Sequence, residues 1–160
     1  MKYNIGNSSG VVVAGGHGFG LNSTQLCYPV NVYFDSPSNS LFIVNYFGNT
    51  IVRWILGASS WTLVVGDING MSGSTSVLLS GPSTAILDPF GNVYVSDSSN
   101  NRIQSFLPNR KNGTTSAGIN GVSGSADNLL NKPLGITLDA QLNLYVADSN
   151  NQRVQKFPRC

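Results

Sequence analysis

The chain has 160 residues, of which only 10% are charged, with a net charge of +2 and one histidine. So sparse a charge gives little footing to nonspecific nucleic-acid binding, which rests on clustered Lys and Arg. No apolar run approaches the roughly 18 residues of a membrane helix, the opening residues 1–7 lack the apolar core of a secretory signal, and 18 glycines and 7 prolines argue for short elements and turns.

The first apolar run, residues 11–14 (Val-Val-Val-Ala), predicts a short strand, and a glycine-rich stretch, residues 15–20, follows it. Residues 30–35 and the alternating Leu41 and Ile43 predict an antiparallel hairpin, closed by a Pro/Ser/Asn turn at residues 35–40. Residues 51–54 and 62–65 add two further strands. The same order then returns: a strand ending at Asp88, an alternating strand through Val93 and Val95, a third at residues 102–106 and a weak fourth at 114–117. It returns again with a strand ending at Asp139, the period-2 run at residues 142–148 and a strand at 153–157. Nowhere does apolar spacing follow 3.6 residues, which excludes a helical solenoid.

The recurrence is close. Residues 68–106 and 119–157 align without a gap at an offset of 51, and 20 of the 39 positions are identical. A weaker upstream copy puts Pro29, Asp35, Asn45, Asn49, Ile51 and Trp54 where the second copy has Pro82, Asp88, Asp97, Asn101, Ile103 and Phe106. A fixed period of this size marks an architecture whose units bury their apolar faces only against neighbours. Four short antiparallel strands per period of about 50 residues describe the blade of a β-propeller.

The string at residues 133–157, P-x-G-I-x-x-D-x-x-x-N-L-Y-V-A-D-S-N-N-x-R-V-Q-K-F, resembles the NHL repeat, and residues 82–106 are a second copy. The first copy departs from the pattern with Asn45 in place of the Asp and Thr50 in place of the Arg. The resemblance implies an all-β NHL-type β-propeller: one region over residues 1–160, with repeats near 9–56, 57–108 and 109–160, making three four-stranded blades. Such propellers usually close with six blades, so the chain is expected to be a partial propeller or half of a six-bladed ring. Because the sequence opens with a fourth-type strand and ends after a third-type one, two copies could close a ring by exchanging residues 11–14. The other reading is a piece of a longer protein.

Catalytic and metal signals are thin. Enzymes of this fold, such as amidating lyases and lactonases, hold metals with His or carboxylate ligands, whereas His17 stands alone among loop glycines. The runs beginning at Asp97 and Asp148 start like calcium loops but lack the glycine at position six and the glutamate at position twelve. No Gly-x-Ser-x-Gly elbow occurs. Five of the seven acidic residues (Asp35, Asp88, Asp97, Asp139, Asp148) recur at blade positions, which points to structural work. The expectation is therefore no cofactor, no metal and no enzyme. Cys27 and Cys160 fit no metal-binding spacing and are expected to be free thiols.

What remains is a scaffold or interaction module. The long connections at residues 22–28, 71–81 and 122–132 are rich in Ser, Asn and Gly, and are expected to cluster at one end of the propeller and receive a protein or peptide. Single-stranded RNA is the alternative partner, since non-catalytic NHL propellers take both; a fragment of a lyase- or lactonase-like enzyme is the third reading. Binding candidates are Tyr28, Arg102, Lys132 and Arg153, although the recurrence of the two arginines also predicts pairing with a carboxylate or carbonyl. Tyr46, Arg110 and Lys111 complete the RNA-type set.

Overall fold

A computed structural model describes residues 9–159. Among these residues there is no α-helix; eleven strands form three antiparallel sheets, each strand pairing with its sequence neighbour. The first sheet comprises β1 (Pro29–Asp35), β2 (Ser40–Asn45), β3 (Thr50–Ile55) and β4 (Thr62–Val65). The second comprises β5 (Pro82–Leu87), β6 (Val93–Asp97), β7 (Arg102–Phe106) and β8 (Thr114–Gly118). The third comprises β9 (Pro133–Leu138), β10 (Leu144–Asp148) and β11 (Arg153–Phe157). The fold is an all-β, propeller-type stack of blades.

Two details depart from the sequence reading. The third sheet has three strands rather than four, and residues 11–14 form no strand. Residues 11–14 find no strand edge to pair with, and Ala14 instead packs on the outer face of the first sheet.

The two interiors lie between the blades. Phe42, Val44 and Ile51 of the first sheet meet Ala85, Val93, Val95 and Phe106 of the second, with Leu79 of the connection between them. Ile103 and Ala117 of the second sheet meet Ile136, Leu144 and Val146 of the third, with Leu130 in the corresponding place. Period-2 alternation makes this work, because each blade turns one set of side chains back to its predecessor and the other forward to its successor. A third cluster, Ile43, Val52, Trp54 and Trp61, occupies the outer face of the first blade, where Ala14 and Leu26 pack on it.

The hairpin turns are held by local chemistry. Asp88 Oδ1 accepts the N–H groups of Phe90 and Asn92, both at 2.9 Å, and Asp139 Oδ1 does the same for Gln141 and Asn143 at 3.0 and 2.9 Å. These are Asx turns, in which a carboxylate replaces the backbone partner the turn lacks. Asp35 accepts the hydroxyl of Ser38 in the longer first turn.

Candidate functional site: the connection end of the blades

Since each sheet is a meander, its turns alternate between two ends. The β2–β3 turn and the long β4–β5 connection share one end with their counterparts in the later blades; the β1–β2 and β3–β4 turns share the other. The segment preceding β1 has the same build as the long connections. Gly20 N–H donates to Leu26 O at 3.3 Å, as Gly73 does to Leu79 O at 3.0 Å and Gly124 to Leu130 O at 3.2 Å.

A buried clamp anchors each later connection. Asp97, at the end of β6, is fully buried, and its Oδ2 accepts Arg102 Nε at 2.8 Å and Asn100 Nδ2 at 2.9 Å, while Oδ1 accepts Ser80 N–H at 2.7 Å. Arg102 carries on into the connection, donating to Thr75 O at 2.8 Å and Leu78 O at 3.3 Å. Register makes this possible, since Asp97 and Arg102 are direct cross-strand partners flanking a one-turn 3-10 helix at Ser98–Asn100. The third blade repeats the clamp: Asp148 Oδ2 accepts Arg153 Nε at 2.8 Å, and Arg153 donates to Ser125 O, Ala126 O and Leu129 O at 2.7, 3.0 and 3.1 Å. Burial alone would raise the Asp148 carboxyl, but hydrogen bonds from Asn151, the Asn131 amide, Arg153 and Gln155 outweigh it and hold the group below the usual carboxylate range.

The first blade reaches the same end by other means. Asn45 Oδ1 accepts Cys27 N–H at 3.2 Å, the counterpart of the Ser80 bond, but Thr50 is too short to span to the connection. Trp61 substitutes for the missing arginine, its Nε1 donating to Gln25 O at 2.7 Å and its N–H to Ser23 O at 2.8 Å. A tryptophan more than ten residues from the motif is a replacement that no local pattern announces.

Of the four binding candidates, Arg102 and Arg153 are clamp members whose side chains bond to backbone and carboxylate. Tyr28 and Lys132 are exposed, and they occupy one position in the fold: each precedes the proline that opens its blade, and each has a positive φ (56° and 51°) where the second blade has Gly81 (52°). Tyr28 packs with Phe47 and Tyr46 at centroid distances of 4.8 and 6.3 Å, an aromatic cluster formed where the later blades carry Ser98, Ser99, Ser149 and Asn150. Arg110 and Lys111 sit in the β7–β8 turn, at the opposite end. There a cleft of about 310 Å³ between the first two blades is lined by Asp35, Arg53 and Arg110, with Phe42 and Phe106 at its floor.

Sequence reasoning missed the apolar character of the connection end. Phe19, Tyr28, Phe47, Ile68, Met71 and Ile119 are all large, apolar and more than two-fifths exposed. Their neighbours in sequence are so polar that composition conceals them; the repeat alignment could have found them as apolar residues outside every strand. Among the described residues no three His, Cys, Asp or Glu side chains gather in a metal-binding arrangement, and no helix is long and apolar enough to cross a membrane. Cys27 is buried and unpaired, its thiol pushed up by burial; Cys160 lies outside the described residues.

Residues 130–157, which contain the Pro133 opening, the Asp148–Arg153 clamp and β9 to β11, match the family model of the NHL repeat. The third blade carries an NHL repeat. No curated protein matches the chain in sequence. Among solved structures, the chain resembles an auxiliary nutrient binding protein from Bacteroides thetaiotaomicron, at TM-score 0.63 and 22% identity over 78% of this chain and 36% of that one. It also resembles a catalytically inactive virginiamycin B lyase from Staphylococcus aureus solved with quinupristin, at TM-score 0.53 and 16% identity over 82% and 41%. The chain thus spans about two-fifths or less of the length of these structures, and the likeness is one of fold.

Proposed function

We propose that this NHL propeller is a non-catalytic interaction module that binds a protein or peptide across its connection end. The observation that carries the reading is the set of exposed apolar side chains at this end, on segments held by the Asp–Arg clamps in the later blades and by Asn45 and Trp61 in the first. A preformed apolar surface loses little conformational entropy on binding, so its contacts are kept as affinity. The free charge on this end is slight, with Lys132 the one exposed candidate cation, while Arg110 and Lys111 stand at the other end. That division weighs against single-stranded RNA, which needs cations and stacking rings on the same face.

The fold itself serves both a nutrient-binding protein and a lyase, so it does not choose between binding and catalysis. The non-catalytic reading draws support from the carboxylates: Asp97 and Asp148 are committed to clamps, and Asp35, Asp88 and Asp139 to hairpin turns.

Panning a displayed random-peptide library against the wild-type chain and against a Phe47→Ser/Met71→Ser double variant tests the proposal. Peptides enriched on the wild type are expected to bind the variant at least ten-fold more weakly, with affinity little changed between 50 and 200 mM salt. Equal binding to both proteins would exclude the connection end. Tight binding of a single-stranded homopolymeric RNA that fell steeply with salt would replace the peptide reading with the RNA one.

A further inference from the structure

Blade three shows how a cation near the end opposite the connections is matched by its own blade. Lys156 of β11 pairs across the sheet with Tyr145, and its Nζ lies 5.5 Å from the centre of that ring and 4.0 Å from Asp139 Oδ2. By the repeat, Arg53, Phe42 and Asp35 hold the same three places in blade one. There the ion pair is open. The first hairpin turn is one residue longer, Ser38 gives its hydroxyl to Asp35 Oδ2, and Arg53 Nε turns instead to Ser40 Oγ at 3.0 Å. Ser40 Oγ in turn donates to Ser38 O at 2.9 Å, which fixes the direction of the guanidinium. The scaffold does not demand an arginine here, since Ser105 holds the place in blade two.

The charge left over is half-buried. Arg102 and Arg153, the other arginines withdrawn from the surface, each pair with an aspartate at 2.8 Å, whereas Arg53 pairs with no carboxylate among the described residues. Its two terminal nitrogens make no hydrogen bond there, and neither is sealed from solvent. A guanidinium taken partly out of water without a counter-charge is unfavourable, and it keeps its capacity for a two-pronged bond to a carboxylate. It lines the cleft of about 310 Å³ between blades one and two, both of whose walls belong to this chain. That volume lies at the low end of the roughly 300–1,000 Å³ typical of small-molecule sites. Phe42, Val65, Val93 and Phe106, each less than a tenth exposed, make an apolar floor, and Arg110 adds a second guanidinium from the exposed β7–β8 turn. With Asp35 engaged by Ser38, the cleft presents two cations above apolar walls.

We propose that this cleft binds a small amphipathic carboxylate, its carboxylate on Arg53 and Arg110 and its aromatic or branched aliphatic body on the floor between Phe42 and Phe106. Arg53 contributes more than Arg110, because water competes less for a half-buried ion pair than for an exposed one. The ligand replaces the counter-charge that Asp139 gives Lys156 in blade three. The site stands at the opposite end from the peptide surface proposed above and does not depend on it.

Titrating the nitrogen-15-labelled chain with 3-phenylpropanoate, read as amide shifts, tests the proposal. Saturable shifts are expected at Arg53, Val64 and Arg110 below about 10 mM ligand. The neutral 3-phenylpropanamide, which lacks the charge, and acetate, which lacks the body, are each expected to bind at least about ten-fold more weakly. Arg53→Gln removes the charge while keeping an amide donor, and should weaken 3-phenylpropanoate about ten-fold or more; Arg110→Gln, on an exposed turn, should weaken it roughly two- to five-fold. If the Arg53 variant fails to fold, the Arg110 variant and the amide comparison decide. Absence of saturable shifts in this cleft, equal binding of the neutral amide, or binding undiminished in both variants would overturn it.

Discussion

At the residue scale the clamp aspartates bear the most. Asp97 is fully buried beside an almost fully buried Arg102, so Asp97→Ala strands a guanidinium without its counter-charge; a loss of about 3–5 kcal/mol is expected. Asp148→Ala should cost less, because Arg153 is 28% exposed and water can take over part of its solvation. Urea midpoints on the two variants test that order, and equal losses would mean that burial of the arginine does not set the cost. The same carboxylate sets an acid limit. Its pKa is lower folded than unfolded, so its contribution to stability is in full force above about pH 4, the unfolded value, and fades as pH falls through the folded one. Amide exchange at Asn131, whose N–H bonds to Asp148 Oδ1, is expected to accelerate over that acid range before the β10–β11 ladder does.

Elements are where sequence and structure agree most and where their disagreements teach most. Strands β5 to β7 and β9 to β11 could be placed from alternation and from Asp, Asn and Gly at the turns, because the period-2 signal and the turn chemistry reinforce each other. Residues 11–14 read equally well as a strand and are none, since a strand is a relation between two segments and sequence shows only one of them. The clamp arginines were legible as pairs with a carboxylate or carbonyl because they recur. Trp61 in place of an arginine was not legible, because a non-local substitute leaves no periodic trace. The positive-φ glycines give an element-scale prediction. Gly121→Ala has open space at its Cβ and should cost roughly 1–2 kcal/mol for the left-handed backbone alone. Gly118→Ala must in addition displace the Asn101 carbonyl, so its thermal midpoint should fall well below that of Gly121→Ala. Similar midpoints would mean that β8 can move aside at no cost.

At the scale of the whole molecule the blades form a chain of nearest-neighbour contacts, so stability accumulates at interfaces rather than in one centre. The middle blade alone among those described has another blade packed on both faces, and hydrogen exchange should be slowest in β6 and β7 and faster in β2 and β10 if the chain stands alone. Joining two copies would erase that gradient, because every blade would then have two neighbours. Exchange profiles at high and low protein concentration distinguish the cases: a gradient that vanishes on concentration belongs to a ring, and one that persists belongs to an isolated stack.

The replacement of the first blade's arginine by Trp61 has an optical consequence. Both tryptophans of the chain, Trp54 and Trp61, lie in the same cluster on the outer face of blade one, and none lies elsewhere. Intrinsic fluorescence therefore reports on a single surface of the molecule, the one that residues 15–28 and any added blade would shield. Its emission would shift to the red when that cover lifts and stay silent while the third blade frays, so a spectrum taken for global unfolding would time one local event.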